Sequence, residues 1–292
     1  MTQADRLAER FEEHRPHLRA VAYRMLGSLT EAEDAVQDAW LRFSRADTTD
    51  VANLGGWLTT VIARVCLNVL RTRRSRRERS LETRLPDPIV TRDDRDDPAQ
   101  EVLLADSIGL AMLVVLETLS PAERVAFVLH DVFGVPFDQI GPIVVRSPTA
   151  ARQLASRARR RVRQAATQPD ADLAAQRKVV DAFLAASRAG DFAALLAVLD
   201  PDIVLRADYG ARARATQEVR GAEAVAEQAI TFSSLAPFAR PAVVNGSAGL
   251  VVVRDERPFS VLAFAIRGGR IVELDIVADP ARLRHVELAV LG

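Results

Sequence analysis

The chain has 292 residues and a mass of 31.9 kDa, room for two or three domains at roughly 100–200 residues each. It is 49% hydrophobic and 27% charged, a globular mixture that excludes wholesale disorder, and its 39 basic residues balance 39 acidic ones. A single cysteine, Cys66, excludes an internal disulfide and a Cys-based metal cage; separately, no metal and no cofactor is expected.

The opening residues have no apolar core and do not read as a secretory signal. Apolar periodicity through Leu7, Phe11, Leu18, Val21 and Met25 predicts helix over 3–26, which Pro16 should kink or divide and Gly27 should end. Ser28 with Glu31, or Thr30 with Glu33, is a capping-box start for a second helix to about Arg45. A third helix runs from Trp57 to about Arg79, apolar at first and then basic. Seven Arg stand against Glu78 and Glu82 between Arg71 and Arg84. Residues 80–100 read as a linker, because Pro86, Pro88 and Pro98 forbid continuous helix and Asp93, Asp94, Asp96 and Asp97 repel one another.

A second helical block follows, beginning with a helix at about 101–118. Its apolar run near Ile108 to Leu116 is far short of the roughly 20 residues that span a bilayer. Ser120-Pro121-Ala122-Glu123 is a capping box with Pro at the first helical position, and its helix should reach Phe133 before Gly134 ends it. A short helix at about 136–144 and a last one from Ser147-Pro148 to about Ala166 complete a helix-turn-helix. Between Arg152 and Arg163 lie six Arg and no acid, a focused positive site in a neutral chain. Ala151, Leu154, Ala155, Ala158 and Val162 form the apolar stripe of this helix. Arg152, Gln153, Ser156, Arg157 and Arg160 occupy another face, and Arg, Gln and Ser are the side chains that read base edges. Arg159, Arg161 and Arg163 are placed for phosphates.

Beyond Pro169 the period changes. Helices at about 173–189 and 191–199 precede alternating segments at 203–207, 242–244, 250–254, 260–266 and 271–277. A helix at 221–235 interrupts them, and Asn245-Gly246 and Gly268-Gly269 mark hairpin turns. This predicts an α+β domain with a curved antiparallel sheet. None of the four His falls in that sheet, which leaves Asp208, Tyr209, Arg212 and Asp275 as candidate pocket polar groups.

Residues 32–43 (AEDAVQDAWLRF), 56–71 (GWLTTVIARVCLNVLR), 119–134 (LSPAERVAFVLHDVFG) and 147–162 (SPTAARQLASRARRRV) together resemble an extracytoplasmic-function (ECF) sigma factor of the sigma-70 family. The tail resembles the SnoaL-like cone fused to one subgroup of these factors. Leu85-Pro86-Asp87-Pro88, Asp208-Tyr209-Gly210-Ala211-Arg212 and Ala278-Asp279-Pro280-Ala281-Arg282-Leu283 are similar to that subgroup's linker and tail motifs. The resemblance implies a multidomain chain of two all-α sigma domains, the second a helix-turn-helix, followed by an α+β SnoaL-like cone. Sigma domain 2 would span residues 1–79, the linker 80–100, sigma domain 4 residues 101–168, and the tail 169–292. It also implies an alternative sigma factor that binds RNA polymerase core and promoter DNA in the cytoplasm, neither an enzyme nor a membrane protein. The sequence leaves any anti-sigma partner unspecified.

Asp34, Gln37, Asp38, Trp40 and Leu41 would then grip core polymerase. Arg64, Asn68, Arg71 and Arg74 would read the −10 element, and Arg152, Gln153, Ser156, Arg157 and Arg160 the −35 element. Aromatics are 5% of the chain and few lie near the −10 reader, so strand separation is expected at a narrow set of promoters. Val145 stands where the family's turn usually has Gly, and the turn geometry is expected to differ. The alternative is a ligand-sensing helix-turn-helix regulator that acts without core polymerase.

Overall fold

A computed structural model describes residues 3–46, 51–77, 85–91, 109–165, 172–210 and 216–286. The chain divides into two compact units. Met1–Ser80, Pro98–Asp106 and Val115–Ala165 form the first; Leu81–Asp97, Ser107–Val114 and Ala166–Gly292 form the second.

In chain order the first helices are α1 (Gln3–Glu12), α2 (Arg15–Leu26), α3 (Leu29–Phe43) and α4 (Leu54–Arg77). Pro16 stands in the first turn of α2, where its missing N–H costs nothing, so the expected helix over 3–26 is divided rather than kinked. Gly27 closes α2 in the left-handed region at φ 67°, its N–H donating to the Tyr23 carbonyl at 2.7 Å. Ser28, not Thr30, caps α3 by accepting from the Glu31 N–H. Phe11, Leu18, Met25, Val36, Phe43 and Ile62 are buried among these helices.

Next come the two-residue strand β1 (Val90–Thr91) and helix α5 (Leu110–Glu117), the described part of the helix expected over 101–118. Then follow α6 (Pro121–Phe127), a π-helical turn (Val128–Val132), α7 (Phe137–Val144) and α8 (Pro148–Ala165). The capping box at the start of α6 is complete: the Ser120 hydroxyl accepts from the Glu123 N–H, and the Glu123 carboxylate accepts from the Ser120 N–H at 3.1 Å. The single helix expected to Phe133 is instead an α-helix relaxed into a π turn, with the Phe133 N–H donating to Val128. The turn before α8 keeps a left-handed residue, Val145 at φ 58° and ψ 54°, so a β-branched side chain occupies a conformation that glycine adopts freely. Gly141 faces that turn, and a Cβ there would stand 2.8 Å from the Arg146 carbonyl.

The second unit contains α9 (Leu173–Ala189), α10 (Phe192–Val198), β2 (Leu199–Asp208), β3 (Gln217–Arg220) and α11 (Ala222–Thr231). A 3-10 turn (Ser233–Phe238), β4 (Ala239–Val244), β5 (Ser247–Arg254), β6 (Arg257–Arg267), β7 (Arg270–Val277) and the one-turn α12 (Pro280–Leu283) follow. The sheet runs β1-β4-β5-β6-β7-β2-β3. Phe183, Leu195, Leu205, Val225, Leu250 and Phe264 belong to the core between helices and sheet.

Two expectations need correction. The sheet is mixed, because β2 pairs with β7 in parallel. The long excursion through α11 and the meander gives the chain room for the crossover that parallel pairing requires, and a run of strand segments does not reveal it. Part of the linker is also structured: Leu85, Pro86, Asp87 and Pro88 are buried, and β1 pairs with β4 at the sheet edge. An edge strand tolerates the prolines before it, since one side of the ladder needs no donor. The four aspartates at 93, 94, 96 and 97 lie outside the described residues. Asn245-Gly246 and Gly268-Gly269 turn hairpins with positive φ, as expected; Asp255-Glu256 does the same at φ 51° and 57° without a glycine to announce it.

Candidate functional site

Three side-chain stripes on the first unit face solvent. On α3, Asp34, Gln37, Asp38 and Leu41 are exposed at i, i+3, i+4 and i+7, with Leu41 42% exposed. Trp40, from the same candidate set, is half-buried: its ring meets Phe11 edge-on at 5.2 Å and Phe43 at 6.1 Å. On α4, Arg64, Asn68, Arg71 and Arg74 are all exposed, while Ile62, Cys66 and Leu70 on the other face are buried. Burial raises the Cys66 thiol to about 12, which keeps it protonated and unreactive.

The third stripe is Arg152, Gln153, Ser156, Arg157 and Arg160 on α8, all exposed above the buried Ala151, Ala155, Ala158 and Val162. The Arg152 guanidinium lies over the Phe137 ring at 5.4 Å, and that ring meets His130 at 3.9 Å, tilted by 31°. Glu123 is a carboxylate that sequence reasoning did not single out for this surface. Its oxygens lie 3.3 Å from Arg157 and 3.4 Å from Arg161, while its side chain is 8% exposed. Burial alone pushes the Glu123 carboxyl up, but the Ser120 hydrogen bonds and the Arg161 and Arg157 charges carry it below the usual carboxylate range. One capping residue of α6 thereby anchors two arginines of α8. Arg159, read as a phosphate contact, pairs with Asp131 at 2.5 Å.

The α4 and α6 segments are joined by ionic contacts within the first unit. Arg124, 2% exposed, donates to Glu117 at 2.6 Å. Glu117 lies 4.0 Å from Arg73, which also pairs with Glu31 and donates to the Leu26 carbonyl at 2.7 Å. His17 meets Phe133 edge-on at 5.4 Å, and Arg24 lies over the same ring.

In the second unit, the candidate polar groups fall into different places. Tyr209 lines a cavity between helices and sheet. Asp208 does not; one carboxylate oxygen accepts from the Leu85 N–H at 3.1 Å and from Arg282 at 2.7 Å, and the other from the Gly210 N–H at 2.9 Å. Arg282 is the hub of this cluster. At 5% exposure it also donates to Asp87 at 2.5 Å and to the Leu85 carbonyl at 2.6 Å, clamping the linker segment onto the tail domain. Gly210 is needed beside it: at φ 67°, a Cβ there would fall 2.4 Å from Asp279, the N-cap of α12. Leu274 and Ile276 line the cavity, so the intervening Asp275 points through the opposite face. There it meets Arg206 at 3.1 Å, with Glu273 at 3.5 Å from the same guanidinium. Burial raises the Asp275 carboxyl to about 6, with Arg206 opposing and Glu273 adding to the rise. Arg212 lies outside the described residues.

A helix-turn-helix with a basic exposed face, in a chain that also carries a helix with an acidic exposed stripe, defines a DNA-binding transcription protein of the sigma type. The comparisons agree. Residues 10–76 match Sigma-70 region 2, and residues 110–162 match Sigma-70, region 4. The chain is 40% identical to the ECF RNA polymerase sigma factor SigJ of Mycobacterium tuberculosis over 285 residues, covering 92% of this chain and 91% of that one. It is 35% identical over 290 residues to the probable ECF RNA polymerase sigma factor SigI of the same species, covering 97% of each. The crystal structure of Mycobacterium tuberculosis SigJ superposes with a TM-score of 0.77 at 36% identity, over 95% of this chain and 98% of that one. The chain belongs to the ECF RNA polymerase sigma factors, which are not an enzyme family. Among the described residues no helix is long and apolar enough to cross a membrane.

Proposed function

We propose that this alternative sigma factor holds core polymerase through Asp34, Gln37, Asp38 and Leu41, with Trp40 bracing that helix from beneath. It reads the −10 element with Arg64, Asn68, Arg71 and Arg74, and the −35 element with Arg152, Gln153, Ser156, Arg157 and Arg160, in the cytoplasm where the polymerase works. The observation that carries this reading is the exposure of all five α8 side chains above the buried Ala151, Ala155, Ala158 and Val162. Residues 1–79 and 101–168 act as the two promoter-binding domains. Their elements pack together through Arg73, Glu117 and Arg124, and that packing must open before both can reach one duplex about two helical turns apart.

The tail, residues 169–292, modulates this activity by holding the linker. Support comes from the buried Arg282 cluster, in which two linker residues, Leu85 and Asp87, are bound by one tail guanidinium. The tail performs no catalysis: Asp208 is spent on the clamp and Asp275 on Arg206 across the sheet from the cavity.

Run-off transcription with core polymerase tests the whole reading, comparing the full chain, a truncation after Ala166 and Arg282→Ala. Promoter-specific transcripts from the full chain, altered in yield by truncation and by Arg282→Ala, are expected. A chain that binds promoter DNA but neither joins core polymerase nor redirects initiation favours the ligand-sensing regulator.

A further inference from the structure

The cavity of the second unit holds about 930 Å³, near the top of the range of roughly 300–1,000 Å³ for small-molecule sites. Its walls are apolar, built from Phe183, Leu205, Leu250, Leu262, Leu274 and Ile276. Phe232 and Phe259, also lining it, remain 46% and 43% exposed, so apolar surface continues out to the mouth. Arg254 and Arg257 both line the cavity and are direct cross-strand partners at the closing pair of the β5–β6 hairpin. Like charges directly opposite on a hairpin repel. Asp255, which also lines the cavity, and Glu256 occupy the turn, yet among the described residues neither arginine forms an ion pair with them. An anionic head group between the two guanidiniums would relieve that repulsion and leave the walls for an apolar body.

We infer that this cavity binds an amphiphilic monocarboxylate of long-chain fatty-acid size, its carboxylate held by Arg254 and Arg257. The inference rests on the reading that the tail governs the linker, and it gives that control an input. Tyr209, Ala278 and Pro280 line the cavity and flank the clamp: Tyr209 follows Asp208, the Ala278 N–H donates to the Asp208 carbonyl at 2.8 Å, and Pro280 opens the helical turn that carries Arg282. An occupant that shifts either flank lengthens the clamp contacts and frees the linker.

Titration calorimetry on the full chain with oleate, oleyl alcohol and butyrate, below micellar concentrations, tests this. Oleate is expected to bind one to one, and butyrate not at all. Arg254→Ala/Arg257→Ala should weaken oleate by at least about tenfold, the factor that one charge-assisted hydrogen bond alone supplies, while leaving oleyl alcohol unchanged. Ala229→Trp, which fills the cavity from α11, should abolish oleate binding; circular dichroism confirms that it folds, and Phe232→Trp at the exposed mouth serves if it does not. Oleate should also speed tryptic cleavage at Arg84 and Arg92, the sites bracketing the clamped segment. Equal affinity for oleate and oleyl alcohol overturns the carboxylate assignment. Binding that survives both filling variants overturns the site, and unchanged cleavage overturns the coupling. Failure of oleate to bind while Arg282→Ala still alters transcription sinks this inference alone; unchanged transcription by Arg282→Ala sinks the reading beneath it.

Discussion

Arg157 and Arg282 are both tied to carboxylates, but they answer to opposite physics. The Arg157 side chain is 56% exposed and shares Glu123 with Arg161, whereas Arg282 is 3% exposed and binds two carboxylates and a carbonyl. A pair whose arginine lies in solvent is screened and contributes about 0–1 kcal/mol, although Glu123 itself is buried and bonded to Ser120. A buried arginine cannot leave without stranding desolvated charges. On α8 Arg157 is thus lightly held, while the tail uses the same side chain as a fastener.

Arg282→Ala is the strongest way to break this contrast. It should cost about 3–5 kcal/mol in unfolding of the second unit, because Asp87 and Asp208 lose the buried counter-charge they share. Chemical denaturation measures it, and a loss below about 1 kcal/mol would make the clamp no different from a surface pair. Arg157→Ala should leave folding stability nearly untouched and cost about 1–3 kcal/mol in promoter affinity, relaxing choice at one −35 base. Equal weakening on all sequences, read by competition binding, would reduce it to a phosphate contact.

Asp275 sharpens the contrast by titration. Its carboxyl is raised to about 6 by burial, above the value of about 3.9 in an unfolded chain. The folded state therefore binds more protons between about pH 4 and 6, and stability falls as pH rises through that window. Asp275→Asn should flatten this slope in melting curves taken across it. The smallest effect belongs to Val145→Gly, which relieves a β-branched residue at φ 58° and should stabilise the first unit by about 1 kcal/mol, since glycine's looser unfolded chain offsets part of the gain.

Local chemistry made much of this molecule legible in advance. Ser28, the Ser120–Glu123 box, Gly27, Gly134 and two of the three hairpin turns act over a few residues, so spacing alone exposes them. The α3, α4 and α8 stripes follow from helical periodicity, whereas the packing of the half-buried Trp40 on Phe11 depends on α1 as well. The parallel β2–β7 pairing, the burial of the linker and the separation of Asp275 from the cavity were not legible, because each depends on segments distant in the chain.

By itself the amino-acid sequence determined the helices, their caps and turns, the strands of the tail and the family, since those rest on short-range propensity and motif spacing. Only the tertiary structure decided that Glu123 would steady Arg157 and Arg161, and that Asp208 would serve a clamp rather than a pocket. Asp87 and Arg282 are 195 positions apart, and no pattern in sequence states which buried charges will meet when a core excludes water around them.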